Sequence, residues 1–220
     1  MYITLIFLGV IMATVITWLL RQTLNTQPWV SSLTDDAVSG SSMNTNTKAV
    51  ALMVFLVVAS SVFALFISAY TIRMDEPGWR PVTEPALLWV NTGILILASV
   101  AYHWTRNAVV KGEQEKLKPG LAISGGLTIL FLLGQLVVWQ QLNSAGYELD
   151  LNVANAFFYL LTAVHGLHML GGLWVWARST MKVWIDAEVD SVRHSIELCT
   201  VYWHFLLLVW IVLFGLLLST

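Results

Sequence analysis

The 220-residue chain has a single cysteine, Cys199, and little charge of either sign. One thiol excludes an internal disulfide and any zinc or iron–sulfur site built from cysteines. Lys, Arg, Asp and Glu make up only 11% of the residues, whereas a water-soluble domain carries about 25% because its surface must be solvated. The balance of 11 basic against 13 acidic residues gives a net charge of −2, which excludes the basic patch of a nucleic-acid binder. Against these absences stand a hydrophobic content of 57% and 11 tryptophans. Tryptophan collects at membrane–water boundaries, so the main solvent of this protein is lipid.

The few charges come in blocks. Residues 2–20, 49–72, 85–105, 121–141, 153–177 and 198–218 contain no Lys, Arg, Asp or Glu. At ~1.5 Å per residue, each interval is long enough to cross a hydrocarbon core of ~30 Å. Backbone groups in lipid must bond within their own segment, and the ten-residue alternation of a membrane barrel is absent, so the intervals are helices. The expected fold class is all-α, a polytopic bundle of six transmembrane helices. The 2–20 segment has neither a basic start nor a small-x-small cleavage pattern after it, and is expected to be a helix rather than a leader. The domain plan is then a first helix over 1–21, a polar flexible linker over 22–48 and a five-helix bundle over 49–220, with no internal repeat. Alternating the loops between two sides puts Arg21, Lys48, Arg106, Lys111, Lys116, Lys118, Arg178, Lys182 and Arg193 on one side, and only Arg73 and Arg80 on the other. The excess of basic residues places the 106–119 and 178–196 loops in the cytoplasm, with both termini outside.

Ionisable groups at membrane depth are costly and each needs a partner or a task. They are His103, His165, His168 and His204, with Glu197 near a helix end. The spacing of three between His165 and His168, and of seven between Glu197 and His204, puts each pair on one helix face. Counted from Arg178 and Ser195, His168 and His204 both lie roughly 14–15 Å deep at ~1.5 Å per residue, and are expected to face one another across an antiparallel helix pair. Glu197 lies shallower, near the level of Arg178, so a Glu197–Arg178 or Glu197–Arg193 pair is expected. Three histidines admit a haem or metal site, but an interhelical hydrogen-bond network is the favoured expectation. The HxxH spacing lacks the adjacent Glu and the i,i+4 step of a zinc protease motif. Gly166, Gly171 and Gly172, and Gly125, Gly126 and Gly134 on another helix, suit close helix packing. His103 beside Trp104 is expected to be an interfacial side chain. No nucleophile–base pair, phosphate loop or carboxylate dyad is present, and no broken helix with paired repeats supports a transporter.

Two stretches carry a resemblance. Residues 157–172 read FFYLLTAVHGLHMLGG, and residues 197–205 read ELCTVYWHF, running on to Val209 and Trp210. Over roughly 49–219 the chain resembles subunit III of haem–copper terminal oxidases (cytochrome c oxidase polypeptide III). Asn91–Thr92 and the following run to Trp104 are similar to a further family motif.

The resemblance implies a non-catalytic subunit of a respiratory complex. It implies no cofactor in this chain, haem and copper lying in partner subunits, and bound phospholipid. Subunit I is the implied main partner, with subunit II and other oxidase subunits beside it, in a bacterial inner membrane. Support of proton uptake, a lipid-filled oxygen route and protection of the complex during turnover are the implied tasks. His165, His168, Glu197 and His204 occupy motif positions and, with Arg178, are implied to form a polar network that holds the helix pair and lipid headgroups. Trp104, Tyr202, Trp203 and Trp210 are expected as interface aromatics. The chain departs from the family's pattern at Leu207, where an aspartate is usual, at Val58-Ala59-Ser60-Ser61, where a buried acid is usual, and at Arg106-Asn107, where two histidines are common. Two further readings remain: an accessory subunit of a nitric oxide reductase of the same family, and a haem- or metal-binding membrane protein using His165, His168 and His204.

Overall fold

The computed structural model describes residues 41–76, 79–82, 85–147, 152–185 and 189–219. The expected 2–20 helix and residues 22–40 of the expected linker lie outside them. Among the described residues there are five helices: α1 (Ser41–Arg73), α2 (Leu87–Val110), α3 (Gln114–Ser144), α4 (Val153–Trp184) and α5 (Val189–Leu218). All five are long and apolar enough to cross a membrane.

The helices outrun the charge-free intervals that announce them. Helix α3 begins at Gln114 and carries Lys116, Lys118 and Pro119 before its apolar stretch. Absence of charge measures the length in lipid, whereas backbone bonding continues into water once a helix is nucleated. The same reason moves the start of α1: Ser41–Lys48, assigned by composition to the linker, is helical.

Contacts divide the chain after Thr71 into two compact units. The first includes most of α1, whose Ser60 and Ser61 hydroxyls donate to Leu56 O and Val57 O at 2.8 and 2.9 Å and so satisfy themselves on their own helix. The second contains α2–α5. In it α2 packs on α3 and α5, and α4 packs on α5 and α3, closing a four-helix ring.

Two turns are set by glycine. At the end of α2, Gly112 adopts φ 71°, its N–H donates to Val109 O, and Glu113 N–H reaches Ala108 O at 2.9 Å. Gly146 repeats the motif after α3, with φ 86° and Tyr147 N–H on Leu142 O at 3.0 Å. Both are Schellman caps, which need a left-handed residue that glycine adopts without strain. Helix α4 starts at Asn152, whose side chain accepts from Ala154 N–H at 3.2 Å and donates to Arg80 O at 2.6 Å.

Large apolar side chains face outward as well as inward, and polar side chains share the interior of the ring. Leu133, Leu167, Trp174 and Ile211 are exposed, while Asn91, Ser124, Thr128, Gln135, Asn155, Thr162 and His165 are buried. Lipid accepts the first group, and neighbouring helices must satisfy the second. At the α2–α3 turn the ring is closed by an apolar cluster of Val109, Leu117, Leu121, Val183, Val192 and Ile196.

Candidate functional site

The four helices meet at one level through four side chains, one from each. Trp210 of α5 is fully buried, with its ring 5.0 Å from Phe131 of α3 and 5.3 Å from His165 of α4, centroid to centroid. Phe131 stands edge-on to His165 at 6.2 Å. The indole N–H of Trp210 donates to Thr92 Oγ1 of α2 at 3.0 Å, and the Thr92 hydroxyl passes its own proton to Leu88 O at 2.8 Å. A buried indole N–H in lipid needs an acceptor, and a threonine folded back on its own helix supplies one without leaving a hydroxyl unpaired. The device recurs towards the Asn152 end: Trp139 of α3 donates to Thr162 Oγ1 of α4 at 3.1 Å, and Thr162 donates to Phe158 O at 2.7 Å. Asn91 lies beside this level with its carboxamide against Gly134, where any Cβ would collide with it.

The next level towards the α2–α3 turn joins α4 to α5 and α5 to α2. Tyr202 donates its hydroxyl to His168 O at 2.8 Å and lays its ring on Gly172. Trp203 stacks on Tyr102 of α2 at 4.8 Å and 12°. Below them Trp176 of α4 donates to Leu121 O at 3.1 Å with its ring over Gly125, and Thr105 fills the space beside Gly120. Three of the glycines expected to permit close approach do so, Gly125, Gly134 and Gly172. A Cβ at Gly126, Gly166 or Gly171 would meet nothing within 4 Å among the described residues.

The expected polar network is divided rather than gathered. His165 is in the core, 1% exposed. His168 is half-buried, and its Nδ1 lies 2.7 Å from Val164 O; a carbonyl only accepts, so Nδ1 carries the hydrogen. The expectation that His168 and His204 face each other is corrected. The bond across α4 and α5 comes from the Tyr202 hydroxyl to the His168 backbone, and the His204 ring lies on the exposed side, 5.8 Å from His103 of α2. The angular position of a residue on its helix decides this, and equal depth does not. Of the two ion pairs expected for Glu197, the one with Arg193 is present, Nε to Oε1 at 3.4 Å one turn apart, while Arg178 stands exposed on α4. His165, His168 and His204 therefore do not converge, and no three metal-ligating side chains come together among the described residues.

The aromatic expectation is also corrected. Trp104 is exposed, at 42%, but Tyr202, Trp203 and Trp210 are interior rings at 8%, 1% and 0%. They fill the ring of helices, where aromatic area gains most from packing. Outside the apolar spans, the exposed Glu113 carboxylate accepts from Lys116 Nζ at 2.9 Å; that bond, with the charges of Lys116 and Lys111, holds its pKa below the ordinary glutamate value.

The sequence pattern of the cytochrome c oxidase subunit III family matches residues 2–218. The chain belongs to this family. Cytochrome c oxidase subunit 3 of Synechocystis sp. is 32% identical over 169 residues, 74% of this chain and 71% of the relative. The subunit 3 of Thermostichus vulcanus is 30% identical over 171 residues, 76% of this chain and 84% of the relative. A probable subunit 3 of Mycobacterium leprae is 32% identical over 157 residues, 68% and 76% of the two chains. The role of the chain is that of subunit III in a haem–copper oxidase of the respiratory chain. The names of these relatives give no support to the nitric oxide reductase reading or to a haem- or metal-binding one. The family match also takes in residues 2–20, beyond the 49–219 stretch that carries the motif resemblance.

Proposed function

We propose that this subunit III is a framework subunit, holding no redox centre of its own and packing beside the subunit I that carries haem and copper. Subunit II and other oxidase subunits are further neighbours, and phospholipid occupies the polar ends of the helix pair near Glu197 and Arg178. The complex lies in a bacterial inner membrane, with both termini periplasmic and the 106–119 and 178–196 loops cytoplasmic. The observation that carries this reading is the central level. Thr92, Phe131, His165 and Trp210 lock four helices together through neutral groups, with the hydroxyl and indole protons committed to fixed acceptors. Such an interior keeps four helices in register, which suits a scaffold.

The test is a mild-detergent pull-down through the tagged full chain, with haem, copper and phospholipid phosphorus measured on the recovered material and again after the chain is stripped from its partners. Haem and copper should leave with the other subunits, and the stripped chain should be colourless. A Soret band or stoichiometric metal retained by the stripped chain would overturn the reading.

A further inference from the structure

Two imidazoles and a guanidinium stand on the outer face of the ring where α2 meets α5. His103 and His204 are both exposed, their ring centroids are 5.8 Å apart, and Arg106 follows one turn along α2. Apolar side chains surround them, with Val100 61%, Trp104 42% and Leu208 42% exposed. The His204 Nδ1 is taken by Thr200 O at 2.9 Å, so its Nε2 is the atom turned to an outside group. No described carboxylate pairs with Arg106.

Among the described residues no carboxylate completes the cluster from within. None of the six apolar intervals, 2–20 included, holds an Asp or Glu, and Glu197 lies two turns away on α5, bonded to Arg193. Depth narrows the outside group further. His204 lies roughly 21 Å before Leu218 and His103 roughly 24 Å after Leu87 at ~1.5 Å per residue. With those ends at one boundary of a ~30 Å hydrocarbon layer, the ring pair lies about 6–9 Å inside the other. Ser195, from which the depth of roughly 14–15 Å is counted, then lies about 5 Å outside the hydrocarbon. A lipid phosphate sits outside that layer, where Arg106 alone can reach it by snorkelling. An acid on a neighbouring transmembrane helix reaches all three groups, and at that depth it requires them.

We propose that the His103–His204–Arg106 face is the docking contact for a carboxylate carried at membrane depth by a helix of another oxidase subunit. The proposal rests on the subunit III role and names the chemistry of its partner. The experiment is co-purification of the oxidase through the tagged full chain in its own membrane, comparing wild type, H103L/H204L and H103Q/H204Q. Recovered haem per chain should fall on the order of tenfold in the Leu pair, equivalent to about 1.4 kcal/mol. The Gln pair keeps a donor at each position and should hold most of it. Both rings lie outside the core, so the melting curve of the isolated variants should match wild type; H103L alone serves if the pair does not fold. Haem recovery by the Leu pair equal to wild type overturns the docking contact and leaves the subunit role intact. Unchanged haem with loss of phospholipid phosphorus assigns the face to a lipid headgroup and also overturns it. Wild type that brings down no haem overturns both.

Discussion

Trp210 offers the sharpest test of how the ring is held. Because lipid tails are as apolar as the helix interior, burial from water supplies no net drive, and the cost of a substitution comes from lost contacts and hydrogen bonds. Trp210→Phe keeps a ring against Phe131 and His165 but removes the donor to Thr92. Membrane hydrogen bonds average ~0.6 kcal/mol and a small core void costs roughly 0.5–1.5 kcal/mol, so the total is about 1–2 kcal/mol. Trp210→Leu also removes the ring contacts with Phe131, His165 and Phe214. At roughly 0.5–1.5 kcal/mol each, with the bond included, that change costs about 2–5 kcal/mol. The measurement is unfolding of the purified chain by SDS titration in dodecylmaltoside, followed by circular dichroism. Thr92→Val closes a double-mutant cycle with Trp210→Phe, and a coupling energy near 0.6 kcal/mol is expected. A cycle with no coupling, together with a Trp210→Leu cost below about 1 kcal/mol, would refute the claim that this level fastens α5 to the rest.

Other substitutions separate packing, turn and charge effects. Gly172→Ala drives a Cβ into the Tyr202 ring and its bond to His168, and should cost about 1–3 kcal/mol in the same titration. Gly166→Ala on the same helix meets nothing and should be neutral or stabilise by up to about 1 kcal/mol through helix propensity. Gly112→Val puts a branched residue at φ 71° and should cost about 1–2 kcal/mol, whereas Gly112→Asn should cost less because Asn tolerates that region. The Glu113 carboxyl should titrate below the ordinary glutamate value in wild type and move upward in Lys116→Gln, read by carboxyl NMR. A depressed pKa means that its small contribution is complete above the ordinary value and disappears as pH falls through the lowered one, so a stability loss on raising pH through this range would contradict the pairing.

The five described helices were legible because absence of charge over about 20 residues has one cheap explanation in lipid. Their ends were less so, since α3 and α4 continue well past the apolar stretch into regions where water serves the backbone. The site was legible only by residue type. Periodicity marks Trp203 and Trp210 as apolar, but lipid and core are both apolar, so no contrast tells an inward ring from an outward one. The small polar residues are the better signal. Asn91 and Gln135 carry carboxamides that lipid cannot serve, and both are buried in the ring; Thr92 and Thr162 bond back to their own helices and carry less signal. The His103–His204 contact carries no signal in either motif, because it depends on which faces of two distant segments become neighbours.

That division changes what a histidine variant reports. Taken as one network, His165, His168 and His204 would be expected to fail together. In the structure His165 is enclosed by Phe131 and Trp210, while His204 turns to His103 on the outside. His165→Leu removes an imidazole from the level that joins all four helices, so it should lower the unfolding midpoint of the isolated chain, and lose haem on co-purification only as far as folded chain is lost. His204→Leu should leave the midpoint alone and lower haem recovery from fully folded chain. Equal effects of the two variants on both readouts would mean that the inner and outer imidazoles are coupled after all. In the described geometry the bond from α5 to α4 at this height, from the Tyr202 hydroxyl to His168 O, runs through neither ring.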